Sequence, residues 1–149
     1  MSTIEKTALN TALGKAFESS FSQTAFMIPM EAEASQIPEN EEWTRVQLDF
    51  SGPLNGTMAM ALSTGLLVTL AQNILGEEET PDEEEQVDAL GEMLNIICGV
   101  ALPELEDTDD VFVISPPRAG EYAKDSGENC CELYFEIDDG YAKVYAHLD

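Results

Sequence analysis

Two hairpins with one apolar face each are written into this sequence, and they constrain the fold more than any other feature. In "RVQLDF" (45–50), Val46, Leu48 and Phe50 alternate with polar residues. "SGPLNG" (51–56) reads as a turn, and "TMAMALS" returns with Met58, Met60 and Leu62 on one side. Near the end, Leu133, Phe135 and Ile137 alternate with Glu132, Tyr134 and Glu136. Asp139-Gly140 then signals a tight turn before "YAKVYAHLD". Period-two alternation places every second side chain on the same sheet face. A hairpin of this kind is marginal alone and must be covered.

The cover is written in helical periods. Ile4, Ala8, Leu9, Ala12, Leu13, Ala16, Phe17 and Phe21 form a stripe that predicts a helix over 4–22. A second helix is expected over 64–76, ended by Gly76. A third is expected from about 81 to 99 or slightly beyond. Thr80 would cap it, Pro81 would open the first turn and Glu83 would complete a capping box. Between these lie an extended segment over 25–34, held to an edge or bulge by Pro29, and a polar connection over 36–42. A loop (104–110), a short strand (111–115) and a long connection (116–129) precede the last hairpin. The order is helix, strand, hairpin, helix, then helix, strand, hairpin. "TALGKAFE" (11–18) aligns without gaps on "DALGEMLN" (88–95). The expected fold class is therefore α+β, a pseudo-symmetric two-fold repeat of helix–strand–hairpin units, with an antiparallel-rich sheet covered by helices.

A chain of 149 residues, 44% hydrophobic, fits a single domain over 1–149. Its 30 acids against 6 bases give a net charge of −24. No basic stripe exists to neutralise phosphates, so nucleic acid is disfavoured, and so is an anionic membrane surface. The charge fits solubility or a salty cytoplasm. "MSTIEKTALN" lacks the basic start and apolar run of a signal peptide. The most apolar stretch, 58–71, is too short for a membrane span. Three cysteines, Cys98, Cys130 and Cys131, make no disulfide framework and suggest a reducing compartment. The expected location is cytoplasmic.

The third helix raises a chemical question. At about 100° per residue, Asp88, Glu92 and Asn95 fall on one stripe some 60° wide. Val87, Leu90, Leu94, Ile97, Cys98 and Ala101 form the core-facing set. Gly91 and Gly99 leave thin spots beside the polar stripe, where the sheet or a partner could approach closely. In the repeat alignment Asp88, Glu92 and Asn95 correspond to Thr11, Lys15 and Glu18. One intact and one degenerate copy is the pattern of a single working site.

"DALGEMLN", Asp-x-x-x-Glu-x-x-Asn, resembles the signature helix of the CheC/CheX/FliY chemotaxis phosphatases. Length and element order resemble the CheX-like members, which carry one such helix. A proline further along belongs to that pattern, and Pro116 and Pro117 fall close to its place. The resemblance implies hydrolysis of the aspartyl phosphate on a response-regulator receiver such as CheY. It implies Asn95 orienting water, Glu92 pairing with the receiver's lysine and Asp88 in a supporting role. An amide carries donor and acceptor together and adds no charge beside phosphoryl oxygens. No cofactor or metal of the chain's own is implied, the Mg²⁺ being the receiver's. The alternative is a non-catalytic module of the same fold that docks a receiver or switch protein. A homodimer is expected to be accessible through a free strand edge.

Other signals carry less. Cys130 and Cys131 are vicinal in a strand and point to opposite faces, so they cannot share a metal. A single histidine, His147, expected on the outer face of the last strand and solvated, excludes a multi-histidine metal site. "DTDD" (107–110) lacks the glycine and closing glutamate of an EF-hand. Trp43 is expected in core or hairpin packing.

Overall fold

The protein is described by a computed structural model covering residues 6–106, 109–120 and 129–149. Helix α1 (Lys6–Thr24) is followed by β1 (Met30–Ala32), β2 (Trp43–Ser51) and β3 (Gly56–Ser63). A 3₁₀ turn leads into α2 (Leu67–Leu75), and α3 (Glu83–Leu105) follows. Two short strands, β4 (Val113–Ile114) and β5 (Arg118–Ala119), precede the hairpin of β6 (Cys130–Ile137) and β7 (Gly140–Leu148). The seven strands form one sheet in the order β1-β6-β7-β3-β2-β4, with β5 also on β2, and every pairing is antiparallel. Exchanging β1, β2 and β3 for β4, β6 and β7 and reversing the order returns the same sequence of neighbours. That is the order a two-fold repeat would give.

The register places the apolar positions as their alternation predicts. Val46 faces Met60, Leu48 faces Met58, and Leu133 faces Val144 across the ladders. These side chains meet α1, which crosses β6 and β7, and α3, which crosses β2 and β3. The α1 contact is aromatic. The Phe17 ring stacks on Phe21 at 4.5 Å and on Phe135 at 4.3 Å between centroids. All three are completely buried. Helices α1 and α2 both lean on α3, so α3 is held on three sides.

On the other face of the sheet, Ala59, Cys130 and Tyr145 form a small buried cluster. Cys131 belongs to the main core, so the vicinal cysteines point to opposite faces as expected. Trp43 is half-buried under the Lys143 ammonium, 4.5 Å from its ring centroid. His147 is on the outer face but half-buried rather than solvated, 3.7 Å from the Asp149 carboxylate.

Several boundaries move from their sequence expectations. Helix α1 runs over 6–24, and Ile4 lies outside the described residues. Of the 25–34 segment only Met30–Ala32 pairs, as an edge strand on β6. Before it, the chain is held by Met27 N–H donating to the Phe21 carbonyl and Asn73 Nδ2 donating to the Ala25 carbonyl. The tight turn of the last hairpin is Asp138-Asp139, because Ile137 pairs with Gly140. Asp138 takes the left-handed conformation (φ 52°), and Gly140 opens the strand. A Cβ on Gly140 would stand 2.7 Å from Leu66, so the glycine is needed for packing and not for the turn. Strand 111–115 reduces to Val113–Ile114, with Ser115 N–H donating to the Asp49 carbonyl beyond it. Residues 107–108 and 121–128 of the two connections lie outside the described residues.

Phe17→Ala should remove about 3–5 kcal/mol of stability, the usual range for a buried phenylalanine truncated in a core. Chemical denaturation would show this as a lower midpoint. A loss under 1 kcal/mol would contradict the role given to the stacked ring.

Candidate functional site on helix α3

Three glutamates, Glu83, Glu84 and Glu85, sit in the first turn of α3, where carboxylates oppose the partial positive charge of free backbone N–H groups. The cap is Asp82, not Thr80. Its carboxylate accepts from Glu85 N–H at 2.8 Å, and the Glu85 carboxylate accepts from Asp82 N–H at 3.2 Å. Both Thr80-x-x-Glu83 and Asp82-x-x-Glu85 satisfy the sequence pattern. Pro81 decides between them: it is buried, and its carbonyl accepts from Gln86 Nε2. The proline thus anchors the approach to the helix instead of forming its first turn.

From there α3 runs further than expected, to Leu105, and takes in Glu104 and Leu105 from the anticipated loop. Burial of Ala101 and Leu102 carries it through Pro103. The buried arc includes Leu90, Leu94, Ile97, Cys98 and Ala101, as predicted. Val87 is only half-buried, and Met93, absent from the expected set, is fully buried. Contact with α1 and α2 on its flanks widens the arc beyond what a sheet alone would cover.

The arc leaves one strip of α3 outward. Asp88 and Glu92 are exposed, and Asn95 is half-buried. No hydrogen bond or ion pair ties these three side chains to another described residue. All three stand on one rigid helix, so their spacing is set by helix geometry. The corresponding first-copy positions, Thr11, Lys15 and Glu18, are also exposed. They line a separate open groove together with Ile28, Pro29, Val100 and Glu104.

One border of the strip came from outside the helix. Ser115 Oγ accepts from Asp49 N–H, and the Arg118 guanidinium meets the Asp49 carboxylate at 3.1 Å. These contacts lay residues 115–119 along β2 and bring Pro117 over Gly91. A Cβ on Gly91 would be 3.0 Å from the Pro117 ring. Gly91 is one turn before Asn95, so the Pro117 segment walls that side of the strip. In the sequence Gly91 is a thin spot on a helix and Pro117 lies 26 residues further on, and no local pattern joins them. A glycine inside a helix costs about 1 kcal/mol relative to alanine, and here close packing explains it.

Two of the three thiols are placed away from reactivity. Burial pushes the Cys98 thiol up to about 12. Burial, then the neighbouring Cys130, pushes Cys131 up to about 12 as well. Both stay protonated at neutral pH, and a thiol is a poor nucleophile and metal ligand. Among the described residues no group of three or more His, Cys, Asp or Glu is placed to hold a metal ion. No helix among them is long and apolar enough to cross a membrane.

Comparison with known proteins defines the class. A sequence model described as chemotaxis phosphatase CheX matches residues 45–136, more than half of the chain and all of the Asp88–Asn95 strip. The chain belongs to the CheX family. None of the curated protein sequences matches it. The CheX chemotaxis protein of Vibrio vulnificus superposes with a TM-score of 0.75 at 19% identity, over 95% of this chain and 96% of its own. That of Desulfovibrio desulfuricans gives 0.74 at 17% identity, over 95% and 99%. CheX in the CheX–CheY–BeF3–Mg²⁺ complex of Borrelia burgdorferi gives 0.61 at 22% identity, over 93% and 96%. At these identities the structures establish a common fold.

Asp82→Ala should lower stability by about 1 kcal/mol through loss of the cap. For a chain of this size that is roughly 2–4 °C in melting temperature. Thr80→Ala should leave the melting temperature unchanged. The reverse ranking would contradict the observed cap.

Proposed function

We propose that this protein hydrolyses the aspartyl phosphate of a CheY-like receiver, with Asn95 and Glu92 as the working pair. The observation that carries the reading is the outward strip of Asp88, Glu92 and Asn95 on a helix locked by its buried arc. Family membership supports phosphatase chemistry, and the Borrelia relative was crystallised with CheY, BeF3 and Mg²⁺.

An aspartyl phosphate is an activated acyl phosphate, so the protein need supply little beyond position. Asn95 would hold one water through its carbonyl oxygen and steady the receiver through its NH₂ group. The water oxygen attacks phosphorus as the bond from phosphorus to the aspartyl oxygen breaks. Products are the free carboxylate, inorganic phosphate and a proton released to solvent. An amide orients without adding negative charge near the phosphoryl oxygens, where a carboxylate would be repelled. Glu92 would pair with the receiver's lysine and fix the approach. Asp88, a turn further from Asn95, would support that contact. The Mg²⁺ would arrive with the receiver, and this chain would add no cofactor.

The test is the decay of phosphoryl receiver with and without this protein. Asn95→Ala should slow the assisted decay by roughly 10²-fold or more, the scale of one lost orienting group. Glu92→Ala should act chiefly on KM. If wild type leaves decay unchanged while binding persists, the protein is a docking module of the same fold. With −24 on this chain and acidic pockets on such receivers, KM should fall as ionic strength rises from low to moderate. A KM that rises instead would show that local complementary charges dominate.

A second copy is the other proposed partner. Along 25–30, Ala25, Met27 and Pro29 are buried while Phe26, Ile28 and Met30 are 75%, 66% and 68% exposed. An edge segment that is apolar on both sides supports self-association there. The solution mass should approach that of a dimer as salt screens the repulsion, and Ile28→Glu should return it to the monomer. A monomeric mass at all salt concentrations would remove this partner.

A further inference from the structure

The strip holds a second glycine, and no side-chain packing explains it. At Gly91 a side chain would meet Pro117, but at Gly99 no atom lies within 4 Å of where a Cβ would be. Gly99 is exposed, and its φ is not in the left-handed region that favours glycine. Neither packing nor backbone conformation calls for a glycine, yet a helix interior disfavours one.

Its position is informative. Gly99 is four residues, about 6 Å of rise, beyond Asn95. By rotation it falls between Asn95 and Glu92, on the same outward strip. Pro103 stands four residues further on, inside the same helix. Proline has no N–H, so the intrahelical bond that would end on the Gly99 carbonyl cannot form. The two residues leave backbone with no side chain at position 99 beside Asn95, and a carbonyl that lacks its helical N–H donor.

We infer that Gly99 and Pro103 form a notch that seats the receiver: its surface closes on bare helix backbone, and one of its N–H groups takes the Gly99 carbonyl. This rests on the reading of Asn95 and Glu92 as the working pair. The notch supplies close approach, which a water-orienting amide needs because it must span only one water to phosphorus. Gly99 is thus a positioning residue and touches no reacting atom. The competing account is local. The Pro103 ring crowds the carbonyl four residues back, and a glycine there could serve only to relieve that crowding.

The two accounts differ in sign. If the notch is for the partner, Gly99→Ala should leave the melting temperature equal or higher while raising KM. Gly99→Leu should raise KM about tenfold or more, with kcat at saturating receiver within about twofold of wild type. Pro103→Ala restores an N–H to the carbonyl, so it should raise both melting temperature and KM. The experiment uses the full chain with a CheY-like receiver. It follows decay of the phosphorylated form over a range of receiver concentration, and titrates the beryllofluoride-loaded receiver with Mg²⁺ for affinity. Thermal melts of every variant accompany both. Unchanged KM and affinity in Gly99→Leu overturn the inference, as does a Gly99→Ala that only loses thermal stability. If wild type fails to speed decay but Gly99→Leu still weakens receiver binding about tenfold, the hydrolytic reading fails and the notch stands. If wild type speeds decay and the glycine variants match it, the notch fails and the hydrolytic reading stands.

Discussion

The strip of Asp88, Glu92 and Asn95 depends on the rotational setting of α3. Leu90, Leu94, Ile97, Cys98 and Ala101 are fully buried against the sheet and the flanking helices. Each large aliphatic side chain in such a seam contributes roughly 1.5–3 kcal/mol relative to exposure. Turning the helix by one residue's worth, about 100°, would carry the Glu92 carboxylate into the buried direction now taken by Gly91 or Met93. Asp88, Glu92 and Asn95 are therefore presented outward by the core, at a cost the polar residues themselves do not bear. The outward strip is the complement of the hydrophobic seam.

Two glycines on one helix show how the same residue answers different needs. Gly91 is covered by Pro117, so its missing side chain is filled from within the fold. Gly99 is open, and Pro103 also leaves its carbonyl without the helical donor. One gap belongs to the packing of residues 115–119 on β2, and the other is left on the outside. Between them stands Asn95, walled on the Gly91 side and free toward Gly99. That asymmetry leaves the strip open on one side and walled on the other.

The departures of the structure from the local sequence pattern share a cause. Thr80 and Asp82 both begin a capping pattern, and burial of Pro81 selected the second. Asp139-Gly140 is a good turn pair by composition, yet close packing on Leu66 required Gly140 in the strand and moved the turn back by one residue. Met93 joined the core because α1 and α2 both flank α3. In each case two local solutions were nearly equal in propensity, and a contact from a distant part of the chain separated them.

What the sequence determined by itself was the period: the one-faced hairpins, the three apolar helical stripes, and the placement of Asp88, Glu92 and Asn95 on one side of a helix. Those follow from backbone geometry, which repeats every two residues in a strand and every 3.6 in a helix whatever surrounds it. Only the tertiary structure decided that Pro117 covers Gly91 while Gly99 stays open, that Phe26, Ile28 and Met30 face outward, and that the first-copy residues Thr11, Lys15 and Glu18 line a separate groove. Exposure is settled by residues far apart in the chain, and no local pattern carries it.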